Sequence, residues 1–131
     1  MKIKYAFLFT LALLAGCNNE EKSASTEVKL PDGSEIVLSG IFINSSKKPN
    51  AEGTLNINKL QYTESIEIVQ AELESKLKSL GYTPYSLPSS EGVKFNYTKY
   101  SAPTIGVFLK SASVNGKNLS FASIYWHESK I

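Results

Sequence analysis

The sequence predicts an α+β domain: a single antiparallel sheet of about five to six strands, in the order ββ(β)-α-βββ, with one amphipathic helix packed on one face. Three observations predict it. Ile66, Val69, Leu73, Leu77 and Leu80 recur at helical spacing and make one apolar stripe. Short runs of alternating apolar residues lie on both sides of that stripe. Asn115-Gly116 separates two such runs near the C-terminus, and Asn-Gly between alternating strands is the strongest short-range hairpin signal.

The elements follow in order. "EVKLPDGSEIVL" places Pro31-Asp32-Gly33 between two short runs, a turn in which proline fixes φ and glycine accepts positive φ. Strands are expected at about 27–30 and 35–44. The second is apolar on both sides, as suits a central strand covered on both faces. Ser45 to Gly53 reads as a loop by composition, and strand alternation resumes from Thr54 through Leu55 and Ile57. Thr63 or Ser65 can cap the helix, Glu64 and Glu67 suit its positive N-terminal end, and Gly81 is the expected stop. Glu72 with Lys76 and Glu74 with Lys78 are candidate i,i+4 pairs on the wet side. Thr83 to Gly92 reads as a connection, followed by alternation through Val93, Phe95 and Tyr97.

With Asn115 and Gly116 as the two turn residues, the last hairpin has a definite register. Ile105 then faces Trp126, Val107 faces Ile124, and Leu109 faces Ala122, on the sheet face assigned to the helix. The other face carries Gly106 with Tyr125, Phe108 with Ser123, Lys110 with Phe121, and Ala112 with Leu119. Phe108, Phe121, Tyr125 and Leu119 cannot all lie under one helix. They call for cover from the N-terminal strands, a dimer mate or another partner.

The residue inventory argues against catalysis. His127 is the only histidine, so Ser-His-Asp, Cys-His and multi-histidine metal sites are excluded in a monomer. Asp32 is the only aspartate, and the turn accounts for it. No phosphate-binding glycine loop, dinucleotide fingerprint or nucleophile elbow is present. No cofactor is expected. All 14 basic residues are lysines, and without arginine or a net basic balance a nucleic-acid partner is not expected.

The N-terminus carries an address. Lys2 and Lys4 precede the apolar run Tyr5 to Leu14, and Ala15 and Gly16 come just before Cys17, the only cysteine. This is the layout of an export signal, and its apolar core is too short to span a bilayer. Leu14-Ala15-Gly16-Cys17 resembles the lipobox of bacterial lipoproteins. The resemblance implies cleavage between Gly16 and Cys17, diacylation of the Cys17 thiol, and anchoring to a membrane through the N-terminal lipid. In a Gram-negative envelope Asn18 in place of aspartate favours the outer membrane over the inner. The chain then divides into a signal peptide (1–16), a polar tether (17–26) and one α+β domain (27–131). Removal of Lys2 and Lys4 leaves 12 lysines against 12 acids, a neutral mature chain.

The expected function is a non-catalytic binding role in the cell envelope, most readily with another protein, as an assembly accessory, inhibitor or immunity factor. A homodimer is a second way to cover the surplus face. The candidate surface is Phe108, Phe121 and Tyr125, with Tyr82, Tyr97 and Tyr100. A glycan- or lipid-binding module is the alternative, with Tyr82, Tyr85, Tyr97 and Tyr100 lining a groove between helix and sheet.

Overall fold

The computed structural model describes residues 25–50 and 53–129. Among the described residues, eight strands and one helix follow in the order β1 (Thr26–Lys29), β2 (Glu35–Leu38), β3 (Ile41–Asn50), β4 (Gly53–Tyr62), α1 (Ile66–Ser79), β5 (Thr83–Leu87), β6 (Val93–Thr98), β7 (Ile105–Val114) and β8 (Lys117–Ser129). The α+β class holds, but the strands form two sheets rather than one. Strands β3 to β8 make a six-stranded antiparallel sheet in the order β3-β4-β8-β7-β6-β5, while β1 and β2 pair only with each other.

The split occurs inside the run expected as one strand over 35–44. The chain bends at Ser39-Gly40, and a Cβ on Gly40 would stand 2.6 Å from the Tyr62 ring. Only a residue without a side chain lets the backbone turn there. Val37, Ile41 and Ile43 face outward and are exposed, so the run is not a doubly covered strand. Residues 45–50, expected as loop, extend β3 along the sheet edge. An edge strand with one open side has little apolar surface to bury, and Lys47, Lys48 and Pro49 are residues that discourage further strand pairing. Likewise Thr83–Leu87, expected as a connection, forms the opposite edge strand β5.

The helix forms where its stripe lies. Ser65 caps it by accepting from the Ile68 N–H. At the far end Gly81 adopts φ +98°. Its N–H donates to Lys78 O, and the Tyr82 N–H donates to Leu77 O, both at 3.0 Å, closing a Schellman motif. Val69, Leu73 and Leu77 are buried against Leu60, Ala122, Ile124, Val107 and Leu109 of the sheet, with Ile66 and Leu80 partly buried at the margin. Glu74 pairs with Lys78 at 3.4 Å. Glu72 instead turns toward the β2–β3 bend, where its carboxylate accepts from the Ser39 N–H at 3.0 Å.

Beside the helix, the β1–β2 hairpin covers the same face of the large sheet, contributing Val28, Leu30, Ile36 and Leu38 to the core. Polar ties fix it at both ends. Thr26 donates its hydroxyl to Gly40 O at 2.8 Å. At the turn, the Asp32 carboxylate accepts from the Ser34 N–H at 2.9 Å and from Lys99 Nζ at 2.8 Å. Burial alone would push the Asp32 carboxyl up, but Lys99 and Ser34 outweigh it and hold it down to about 2. Lys99 also lies over the Tyr82 ring, 5.3 Å from its centre. The last hairpin turns at Asn115 (φ 52°) and Gly116 (φ 78°). Its register pairs Gly106 with Tyr125, Val107 with Ile124, Phe108 with Ser123, Leu109 with Ala122, and Lys110 with Phe121.

Candidate functional site: the open face of the sheet

With helix and hairpin on one side, nothing among the described elements packs across the other. The side chains there come in rows across the strands. One row runs Ile57, Tyr125, Gly106, Asn96 and Tyr85 over β4, β8, β7, β6 and β5. The next runs Lys59, Ser123, Phe108, Lys94 and Leu87. A third brings Gln61, Phe121 and Lys110 together. Leu55, Ile57, Leu87, Phe108, Phe121 and Tyr125 are half-buried.

The centre of this surface is shaped by small residues. A Cβ on Gly106 would collide with the Tyr125 ring, so the phenol lies flat across the glycine. That partial burial pushes the Tyr125 hydroxyl up from its ordinary value. Gly92 lets the loop after β5 press on the Leu109 carbonyl, which brings Pro88 to Glu91 alongside Phe108. Between that loop and β4 lies a shallow groove of about 600 Å³, with Leu55, Ile57, Phe108 and Tyr125 as its apolar floor and Lys59 and Lys94 at its sides. Lys110 stands 3.9 Å from Glu91, an acid contributed from the rim loop.

The sequence-predicted surface residues divide. Phe108, Phe121 and Tyr125 lie together on the open face. Tyr82 and Tyr97 do not join them: they are 2% and 0% exposed and belong to the core under the helix and hairpin. Burial, with Asp32 near Tyr82 and Glu74 near Tyr97, pushes both phenols up to about 12. Tyr100 stands alone in the β6–β7 turn, 95% exposed. The helix–sheet interface is filled by Val69, Leu73, Leu77, Tyr97 and their neighbours, so the four tyrosines line no groove there. Gly16 and Cys17 lie outside the described residues.

Two features escaped the sequence reading. Leu55 and Ile57 belong to the open face although Leu60 and Tyr62, on the same strand, belong to the core. The apolar phase of β4 therefore inverts within one unbroken ladder with β8, and "LNINKLQY" displays that inversion. A second exposed apolar set, Val37, Ile41, Phe42 and Ile43, lies on β2 and the start of β3.

Fold and site together describe an α+β domain with one closed and one open sheet face. Among the described residues, no three of His, Cys, Asp and Glu gather where they could hold a metal ion, and no helix is long and apolar enough to cross a membrane. No protein-family model matches the chain, and no curated protein or solved structure matches it significantly.

Proposed function

We propose that this chain is a lipid-anchored cell-envelope protein with a non-catalytic binding role, and that the open sheet face holds a protein partner. The reading rests on one observation. Phe108, Phe121 and Tyr125 stand with Leu55 and Ile57 on a broad face that neither the helix nor the β1–β2 hairpin covers. Such a surface gains free energy when another surface removes it from water. Aromatic rings supply contact area at little entropic cost. Lys59, Lys94 and Lys110 favour a partner whose own rim is acidic. The anchor part rests on the lipobox resemblance: residues 1–16 are removed, Cys17 carries the lipid, and Asn18 directs the protein to an outer membrane where there is one.

A photo-crosslinking side chain at position 121 in living cells tests the surface, with position 75 on the wet side of the helix as control. An adduct with a different protein from position 121 alone is the expected result, lost on Tyr125→Lys. An adduct with a second copy would assign the face to a homodimer instead. Adducts from position 75 alone, or from neither, would remove the face from consideration. The anchor is tested by palmitate labelling, which Cys17→Ala should abolish.

A further inference from the structure

The open face carries one sign of charge. Lys48, Lys59, Lys94, Lys110 and Lys117 hold strand positions on it, and among the described residues no strand position of that face carries Asp or Glu. The acids lie on the covering layer instead: Glu27, Asp32 and Glu35 on the β1–β2 hairpin, and Glu67, Glu72 and Glu74 on the helix. One acid comes near the face from outside its strands, Glu91 on the rim loop, 3.9 Å from Lys110. Two of the lysines stand in a definite relation to the groove. Lys59, Ser123, Phe108 and Lys94 form one row over β4, β8, β7 and β6. Lys59 and Lys94 are therefore rooted three strand spacings apart, about 14 Å. Between them β8 and β7 make the floor, where Phe108 and Tyr125 line the groove of about 600 Å³.

We propose that this groove receives an amphipathic α-helix of the partner, with its apolar stripe on Phe108 and Tyr125 and acidic side chains along both flanks. The inference rests on the open face being a partner surface and adds what the partner presents there. A helix with its side chains is about 10–12 Å across, so it fits between the two lysines and leaves one beside each flank. The opposite face of the same sheet is already covered by a helix, α1, and a second helix would complete a three-layer arrangement. An added strand fits less well. Peptides bound as strands pair with a free sheet edge, whereas β4, β8, β7 and β6 each have a neighbour on both sides. Carboxylates on the flanks meet Lys59 and Lys94 at close range, and the remaining lysines orient the approach.

The probes are two synthetic helical peptides of about 18 residues, or five turns. They share one leucine stripe and differ only in their flanks, which are all Glu in one and all Lys in the other. Each is titrated into the full chain in phosphatidylcholine nanodiscs while NMR follows the ring resonances of Phe108 and Tyr125. The Glu-flanked peptide should shift both rings and saturate, and the Lys-flanked peptide should not. Lys59→Glu combined with Lys94→Glu should weaken the Glu-flanked peptide about tenfold. The same double variant should bind the Lys-flanked peptide, a gain that no folding defect can produce. Lys76→Glu, on the helix, should change neither response. The proposal is overturned if neither peptide moves the rings, if both move them alike, or if the double reversal leaves the preference as it was. Rings that move in phosphatidylglycerol nanodiscs without any peptide would also overturn it, by giving the face to a lipid surface. An adduct from position 121 in cells, with no response to either peptide, would keep the face in use and remove the acidic helix alone.

Discussion

Leu60, Ala122 and Leu109 form a row across three strands of the large sheet, and all three are buried. One residue along the same strands, Lys59, Ser123 and Phe108 form the next row on the opposite face, and none of them is buried. The backbone ladder is shared, so strand pairing cannot account for the difference. What differs is cover: α1 and the β1–β2 hairpin remove one row from water, and no described element removes the other. The covered face therefore carries most of the stability, while the apolar groups on the open face are free to be covered by something else.

The largest effect should come from breaking the covered side. Leu73 is fully buried between helix and sheet, and Leu73→Ala should cost about 3 kcal/mol, through lost transfer energy and the cavity left behind. Phe121→Ala, a larger deletion on the open face, should cost about 1 kcal/mol or less, because its ring already meets water. Urea unfolding of the two variants measures the asymmetry. Equal losses would mean that the open face is part of the core.

A smaller effect tests how the cover is held in place. The Asp32 carboxyl is depressed to about 2 by Lys99 and the Ser34 groups, against the opposing effect of burial. A depressed carboxyl contributes stability that is present above its unfolded value near 4 and is lost as pH falls toward 2. Asp32→Asn should therefore cost about 1 kcal/mol at neutral pH, allowing for solvent near the pair. The gap between the two proteins should close between about pH 4 and pH 2. A gap that persists into acid would assign the effect to turn geometry rather than charge.

The two faces were unequally legible in the sequence. The helix stripe, the Asn115-Gly116 turn and the face assignment of β7 and β8 could be read because each rests on a local period or a local turn. Edge strands could not: β3 beyond Ser45 and β5 have one unpaired side and little to bury, so their composition is that of loops. The run from Ile36 to Ile43 looked doubly covered because it is apolar on both sides, yet the chain bends at Gly40 and leaves half of it wet. Tyr97 looked like a surface tyrosine because alternation gives the phase of a strand but not which phase faces the helix, and Tyr82 because it follows the helix stop, where no period shows that the chain turns back into the core. Asn56 carries the opposite lesson. Its inward position, 5% exposed, follows from counting back along β4 from Leu60, and a polar residue in a core phase is a signal that composition alone hides.

The smallest expected change in stability tests how the open face is built. Gly106 is the one position in its row without a side chain, and the Tyr125 ring occupies the space a Cβ would take. Gly106→Ala should push the ring away from the sheet toward water. The lost contact is offset by the lower backbone entropy of alanine, roughly 0.5–1 kcal/mol, so the midpoint of unfolding should barely move. The ring itself should respond. Burial raises the Tyr125 hydroxyl above its ordinary value, and a ring released into solvent should titrate closer to about 10. Following the Tyr125 ring carbon by NMR against pH separates the outcomes. A downward shift at unchanged stability means that one glycine holds the aromatic centre of the face flat. An unchanged titration would mean that the neighbouring Ile57 and Asn96 hold the ring by themselves, and Gly106 would lose its role in shaping the surface.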